Sequence, residues 1–407
     1  MSAIISRSQL LLNKVSFKGL KSIEDLETNV KPGLNILIGK NGAGKSNFFE
    51  FMSMASSSLF SLNELSFKSA ELSFLSEDKT QVVYSITKLN SRQVTDDMPS
   101  LTYGQKVKIN GKIVYDSQNE LSYFSSTGRP LSPPRNIATL FSRLKFNYRR
   151  ANFIGFGYPD RILGLSEPMT MEIPLDIDDF WDTSGFPLLR AAMEALESRL
   201  QEEFDLTLNE DSDPDEKWKD VVEGLDTEKF LKLSVLDEKT LDNLKKFSPI
   251  QDVRLSKNVT FYKSDHFVIA ENIRMDFFVN DNWLPWSQLS DGTKRLFIII
   301  SDISLSFNRL ILLEEPELGI HPHQFDLVMQ FLTEQAVNNQ IIISTHSPKA
   351  LDVLNEDELD RIMIATYQKG RGTQIGHLTE RQKEKAIGYI NDVGFLSDYW
   401  LLSDLES

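Results

Sequence analysis

The chain has 407 residues, 41% of them hydrophobic and 25% charged, enough apolar material for a large core and for two or three lobes. Cysteine is absent, which excludes disulfides, zinc–thiolate centres and cysteine nucleophiles. A formal net charge of −15 argues against a general nucleic-acid coat, and no segment approaches the run of about 18 apolar residues that crosses a bilayer. Met1 to Leu12 carries Arg7 and polar breaks rather than the apolar core of a secretory signal. A cytoplasmic protein with no membrane partner is expected.

Leu10 to Phe17 and Leu34 to Ile38 read as strands, with Lys31-Pro32-Gly33 turning between them. Gly39-Lys40-Asn41-Gly42-Ala43-Gly44-Lys45-Ser46 follows, and a helix starts near Lys45 and runs through Phe48, Phe49, Phe51 and Met52. Alternation returns at Gln81 to Thr87 and at Val107 to Tyr115, where Asn110-Gly111 signals a hairpin turn. Asp116 to Pro134 is rich in Ser, Gly and Pro and reads as a loop. Beyond it, Arg143, Lys145, Arg149 and Arg150 interleave with Phe141, Phe146 and Tyr148. Pro187 to Phe204 carries a helical apolar stripe, Asn209 to Asp220 is an acidic solvated loop, and Thr227 to Phe247 fits a second amphipathic helix. Strands resume at Val259 to Ile269 and Ile273 to Val279. A helix is expected at Thr293 to Leu305, a strand at Arg309 to Glu314, a helix at His323 to Gln335 and a short buried strand at Gln340 to Ser344. A hairpin around Lys369-Gly370 and a closing helix complete the chain. The alternation of strands and helices implies a largely parallel, covered sheet. Residues 1–115 would form one half of a nucleotide-binding head, 116–250 a helical and loop insertion, and 251–407 the other half.

Gly39 to Ser46 fits the phosphate-loop pattern G-x-x-x-x-G-K-[ST], with a strand before and a helix after. Gly39, Asn41, Gly42, Ala43 and Gly44 would turn backbone N–H groups inward around phosphate oxygens. Lys45 is placed to bridge the β- and γ-phosphates of ATP, and the Ser46 hydroxyl to ligate Mg²⁺. Leu310-Ile311-Leu312-Leu313-Glu314-Glu315 is an apolar strand ending in two carboxylates. Burial of a carboxylate is costly unless it serves a cation. Glu314 would hold Mg²⁺, and Glu315 would orient and polarise the attacking water. Ile341 to Ser344 is a second apolar strand, and His346 just beyond it could hydrogen-bond the γ-phosphate. His266, His321, His323 and His377 lack that placement and read as surface or structural residues. Ser290 caps a helix that opens with Asp291-Gly292. That helix start is a further anion site, of use only if it meets the nucleotide of another copy.

Together these pieces resemble the ABC-type ATPase heads, and within them the RecF, SMC and OLD-like branch with its AbiEii-type predicted ATPases. The resemblance rests on Phe17-Lys18-Gly19-Leu20-Lys21-Ser22, the phosphate loop with Asn47 after it, Leu289-Ser290-Asp291-Gly292-Thr293, Glu314 to Pro322, and Ser344-Thr345-His346-Ser347-Pro348. It implies an α/β P-loop NTPase, an ABC-ATPase-like head with a mixed or parallel core sheet, an antiparallel β-subdomain and an α-helical insertion. Carried over, it makes Lys45, Ser46 and Asn47 nucleotide contacts, Glu314 the metal residue, Glu315 the catalytic base and His346 the switch histidine. Ser290 and Gly292 would contact the γ-phosphate across an ATP-sandwiched homodimer, and Lys18 or Lys21 would reach the nucleotide. Asp291 and Thr293 depart from the transporter signature. The glutamine loop stays open among Gln81, Gln93 and Gln105. The expected function is an ATP-binding, ATP-hydrolysing sensor or motor of prokaryotic antiviral defence, acting with a separate nuclease or toxin. The alternative is a DNA repair or chromosome-maintenance ATPase, with the basic strip from Arg143 to Arg150 facing DNA.

Overall fold

A computed structural model describes residues 10–57, 67–89, 103–116, 146–150, 168–175 and 236–403, with Lys219, Glu223, Gly224 and Thr227 besides. Compactness divides the chain into one unit of residues 1–151 with 306–407 and another of residues 152–305. The helix after Ser290 thus falls in the second unit, and the Glu314–Glu315 pair in the first.

The first unit is built on β3 (Leu34–Ile38), every residue of which is buried. A strand without an exposed face must be covered on both sides, which is the condition of a parallel α/β core. Its neighbours satisfy that condition. β16 (Gln340–Thr345) and β17 (Ile362–Gln368) lie parallel on its two sides, β15 (Leu310–Glu314) follows β16 in parallel, and β8 (Phe146–Arg150) follows β15. Antiparallel strands extend the same sheet beyond β17 through β18 (Gly372–Gly376), β2 (Ile23–Asn29), β1 (Leu10–Leu20), β4 (Ser69–Ser76), β5 (Gln81–Lys88), β6 (Tyr103–Ile109) and β7 (Lys112–Asp116). The sheet is mixed, and its antiparallel strands continue the parallel block. The β6–β7 turn has Asn110 and Gly111 in the left-handed region, at φ 47° and 78°, as the Asn-Gly pair foretells.

Strands beyond the expected set include β2, β4 and β8, and in the second unit those at Met169–Pro174, Ile250–Leu255 and Asn282–Pro285. β2 and β4 bury Ile23, Leu26, Ala70, Leu72 and Phe74 while turning Glu24, Asp25, Glu27 and Glu71 outward. β17 belongs to the parallel core, although only its hairpin with β18 was expected. The helix after the phosphate loop, α1 (Lys45–Ser57), presents Phe48, Phe51 and Met52 to the core at spacing i, i+3, i+4. Phe51 packs on Phe17 of β1, ring centroids 3.9 Å apart, and on Phe67 at 5.2 Å. Full burial of each such ring stabilises by about 1.5–3 kcal/mol, which anchors the helix whose start holds Lys45.

In the second unit, α2 (Glu238–Phe247) precedes a sheet of β10 (Ile250–Leu255), β13 (Met275–Val279) and β14 (Asn282–Pro285). Another sheet joins β11 (Thr260–Lys263), β12 (Phe267–Ile273) and β9 (Met169–Pro174). α3 (Asp291–Ser304) buries Leu296, Phe297, Ile300 and Ile303. Phe277, Trp286 and Phe297 meet edge to edge or tilted, with centroids 5.0 to 5.7 Å apart. Asn243 of α2 also donates to Ser304 Oγ at 2.9 Å. The helix expected at Pro187 to Phe204, the acidic loop up to residue 218, Gln93, Arg143 and Lys145 lie outside the described residues. So do the side chains of Arg149 and Arg150. Among the described residues no helix is long and apolar enough to cross a membrane.

Candidate nucleotide site

The phosphate loop leaves β3 at Gly39 and enters α1 at Lys45. Two of its glycines are required by what surrounds them. A Cβ at Gly39 would meet the Ala365 carbonyl oxygen of β17 at 2.2 Å. Gly44 has φ +95°, and a Cβ there would meet Thr373 Oγ1 of β18 at 2.0 Å and Ser22 Oγ at 2.9 Å. The wall behind the loop is thus made of β17, β18 and the β1–β2 turn. Ser22 Oγ and Thr373 Oγ1 are 2.7 Å apart, Thr373 N donates to Ser22 O at 2.7 Å, and Asn47 Nδ2 donates to Ser22 Oγ at 2.6 Å. Asn47 therefore ties α1 to that wall. At the tip, Asn41, Gly42 and Ser46 are exposed and Ala43 is buried, its N–H donating to Lys40 O at 3.2 Å.

Lys45 is buried, and its ammonium donates to Gly39 O at 2.5 Å and Lys40 O at 3.3 Å. It also lies 3.2 Å from His346 Nδ1. An ammonium has only protons to offer, so Nδ1 accepts and the ring proton sits on Nε2. Nε2 in turn lies 3.2 Å from Glu315 Oε1. A line of three side chains results: Lys45 donates to His346, and His346 donates to Glu315. The loop, the end of β16 and the end of β15 meet along it, at the carboxyl ends of parallel strands, where open α/β sheets place their ligands.

The two glutamates part company because of the backbone. Glu314 ends β15 buried, opposite Ser344 in register. Glu315 has φ 47°, a left-handed conformation that costs a non-glycine residue roughly 1–2 kcal/mol. Its N–H donates to Ser344 O at 2.8 Å, which holds it there. The bend leaves the Glu315 side chain partly exposed and facing His346. Strain kept at a strand end beside such a line of groups is characteristic of sites. A buried carboxylate and an exposed hydroxyl, Glu314 and Ser46, are hard oxygen donors, which suits Mg²⁺ held together with nucleotide phosphates and water. Among the described residues no cluster of three acidic or histidine side chains offers an all-protein metal cage.

The sequence missed Glu317. Its Oε1 accepts from Thr345 Oγ1 at 2.7 Å and from His346 N at 2.8 Å. The available signal was a third carboxylate two residues past the pair. The basic residues expected near the nucleotide have other partners: Lys18 lies 3.1 Å from Asp25, and Lys21 lies 2.5 Å from Glu50. Gln81 lies on β5 and donates to Ser73 Oγ at 3.3 Å, and Gln105 lies on β6. His377 is a structural pin, each ring nitrogen 3.0 Å from a backbone oxygen, of Ile362 or of Asn29. His266, His321 and His323 are exposed.

In the second unit, Ser290 caps α3: Thr293 N donates to Ser290 Oγ at 3.1 Å, and the two hydroxyls are 2.9 Å apart. Ser290 and Asp291 are exposed and Gly292 is buried.

A glycine-built loop between a buried strand and a helix, with carboxylates at the end of a parallel strand two places along the sheet, defines a P-loop NTPase of the α/β class. Two family models match the chain: "AAA domain, putative AbiEii toxin, Type IV TA system" over residues 177–352 and "AAA domain" over residues 14–154. Both descriptions are of AAA domains, one spanning the phosphate loop and the other the strand-end carboxylates and His346. The chain is similar to the Retron Vc95 probable ATPase of Vibrio cholerae serotype O1 biovar El Tor, 22% identical over 416 residues, covering 90% of this chain and 76% of that protein. An uncharacterized protein of Dictyostelium discoideum is 28% identical over 179 residues, 40% of this chain and 23% of its own length. Among solved structures, the SMC head domain of Thermotoga maritima aligns with a TM-score of 0.43 at 12% identity, covering 91% of this chain and 99% of that one. The Smc head domain with an extended coiled coil from Pyrococcus furiosus, bound to the C-terminal domain of ScpA, gives 0.46 at 15% identity, covering 94% and 100%.

Proposed function

We propose that the chain hydrolyses ATP and that two copies close on one another around the nucleotide and part after hydrolysis. The observation that carries this reading is the line from Lys45 through His346 to Glu315. It joins the group that would grip the γ-phosphate to the group that would activate water. With nucleotide bound, Lys45 would exchange its carbonyl partners for phosphate oxygens, and His346 would hydrogen-bond the same phosphate. Glu315, held by its strained backbone, accepts the proton of the attacking water. Glu314 and Ser46 would hold Mg²⁺, which neutralises charge on the β- and γ-phosphates when bound. Ser290 and Gly292 of one copy would meet the γ-phosphate held by the other, since a capped, exposed helix start suits an anion.

In the cell, this chain would act as the sensor or motor of an antiviral defence system, driving a separate nuclease or toxin. The similarity to a retron ATPase and the AbiEii-type description of the matching family support that role. Glu315→Gln keeps the shape of the base and removes its charge. It should bind ATP, hydrolyse it at least about a hundredfold more slowly, and accumulate as a dimer on size-exclusion chromatography. A wild-type hydrolysis rate in that variant would remove Glu315 from the role. Affinity capture of the Glu315→Gln protein from its native host tests the defence role, which fails if no nuclease or toxin is retained with ATP.

A further inference from the structure

We infer that Glu317 is a positioning residue, which sets His346 between Lys45 and Glu315. The inference rests on the ATPase reading for its kinetic consequence but on geometry for its substance. Glu317 lies past the strained bend of Glu315 and past Pro316, at the end of β15. His346 follows the last residue of β16. The two strand ends are joined near the site by the β15–β16 pairing and by the Glu315 N–H to Ser344 O bond. Glu317 Oε1 adds two more, from the Thr345 hydroxyl and from the His346 backbone N–H. It therefore fixes the peptide that carries the imidazole, without touching the ring.

The chemistry of the carboxylate supports that role. Both acceptor bonds fall on Oε1, while Oε2 is buried with no hydrogen-bond partner among the described residues. Oε1 is spent on two donors of the segment that bears His346. Thr345 relays the constraint, because its hydroxyl also accepts from Ser347 N at 2.9 Å. The loop after β16 is thus held on both sides of the histidine.

The test compares Glu317→Ala, Glu317→Gln and Thr345→Val in the full chain. Three readouts are taken: steady-state ATP hydrolysis, melting temperature, and the ring ¹⁵N signals of His346. The signals are read in protein labelled at its five histidines and assigned with His346→Gln. Glu317→Ala should lower kcat about ten- to a hundredfold with KM within about threefold, and should shift the His346 ring signals. Thr345→Val should do the same to a smaller degree. Glu317→Gln retains one acceptor oxygen and should recover most of kcat and the wild-type ring signals, at some cost in melting temperature. Unchanged kcat and ring signals in Glu317→Ala overturn the inference. So does a Gln variant as slow as Ala with His346 undisturbed, which would make the charge itself the working group. If the wild-type chain hydrolyses no ATP, the proposed function fails. The ring signals still decide whether Glu317 sets His346.

Discussion

Gly44 shows how little freedom the loop has at single positions. Its positive φ alone makes an alanine there cost roughly 1–2 kcal/mol. The Cβ would in addition press on Thr373 Oγ1 and Ser22 Oγ. Gly44→Ala should therefore lower the urea midpoint and abolish ATP binding together. Adding Thr373→Ala should recover the steric part of the loss and leave the conformational part, a coupling that a double-mutant cycle reads directly. Full additivity of the two substitutions would mean that the contact carries no energy. At this scale the sequence was informative wherever a residue type has few alternatives. The glycine pattern, Lys45 and the strand-end carboxylates were legible because few other residue types fill a tight loop with positive φ or end a buried strand in charge. Glu317 was not, since an acceptor for two N–H and O–H groups has no spacing signature of its own.

Among the elements, α4 (Glu380–Asp392) is tied to the turn before β3 through one carboxylate. Asp360 pairs with Lys383 and, at 3.2 Å, with Lys31. The hydrogen bond from Lys383 holds the Asp360 carboxyl below its ordinary value of 3.8, with Lys31 acting in the same direction against desolvation. The bond to Asp360, then that to Glu380, raises Lys383 above 10.5. A depressed carboxylate stabilises fully above 3.8, and its contribution fades as pH falls through the lowered folded-state value. A raised lysine stabilises fully below 10.5, and its contribution fades as pH rises through the raised value. Asp360→Asn should thus lower the melting temperature on the plateau between these limits and converge with wild type in acid. A constant difference down to pH 2 would show that packing, not charge, is responsible. Elements were legible where their apolar pattern was one-sided or unbroken, as in α1, β3, β15 and β16. β2 and β4 were missed because their outer faces carry Glu24, Asp25, Glu27 and Glu71 among few apolar residues. β17 has a readable apolar run, but no local pattern states that its partner is β3, more than three hundred residues earlier.

For the whole molecule, the sharpest question is whether one site needs two chains. If it does, Lys45→Ala spoils the loop of its own copy and leaves its Ser290 intact, while Ser290→Arg does the reverse. Each variant alone should be inactive. Mixed in equal amounts, half of the dimers would be hybrids with one intact composite site of two. About a quarter of wild-type ATP hydrolysis should then return. No recovery on mixing would place the signature serine outside the site. The acidic character of the chain, −15 per copy, sets a second expectation. Two such copies repel, so the ATP-trapped Glu315→Gln dimer should form faster at 150 mM salt than at 20 mM, conditions between which the screening length shrinks severalfold. Slower association in salt would instead point to a locally complementary interface.

The wall behind the phosphate loop comes from Ala365 and Thr373, while the loop itself begins at Gly39. A ribosome delivers the loop early and its backing late. During synthesis, the nascent chain carries a complete nucleotide motif with nothing to shape it until β17 and β18 have emerged. Until that backing has emerged, Gly39 and Gly44 lack the close neighbours, Ala365 and Thr373, that shape the loop.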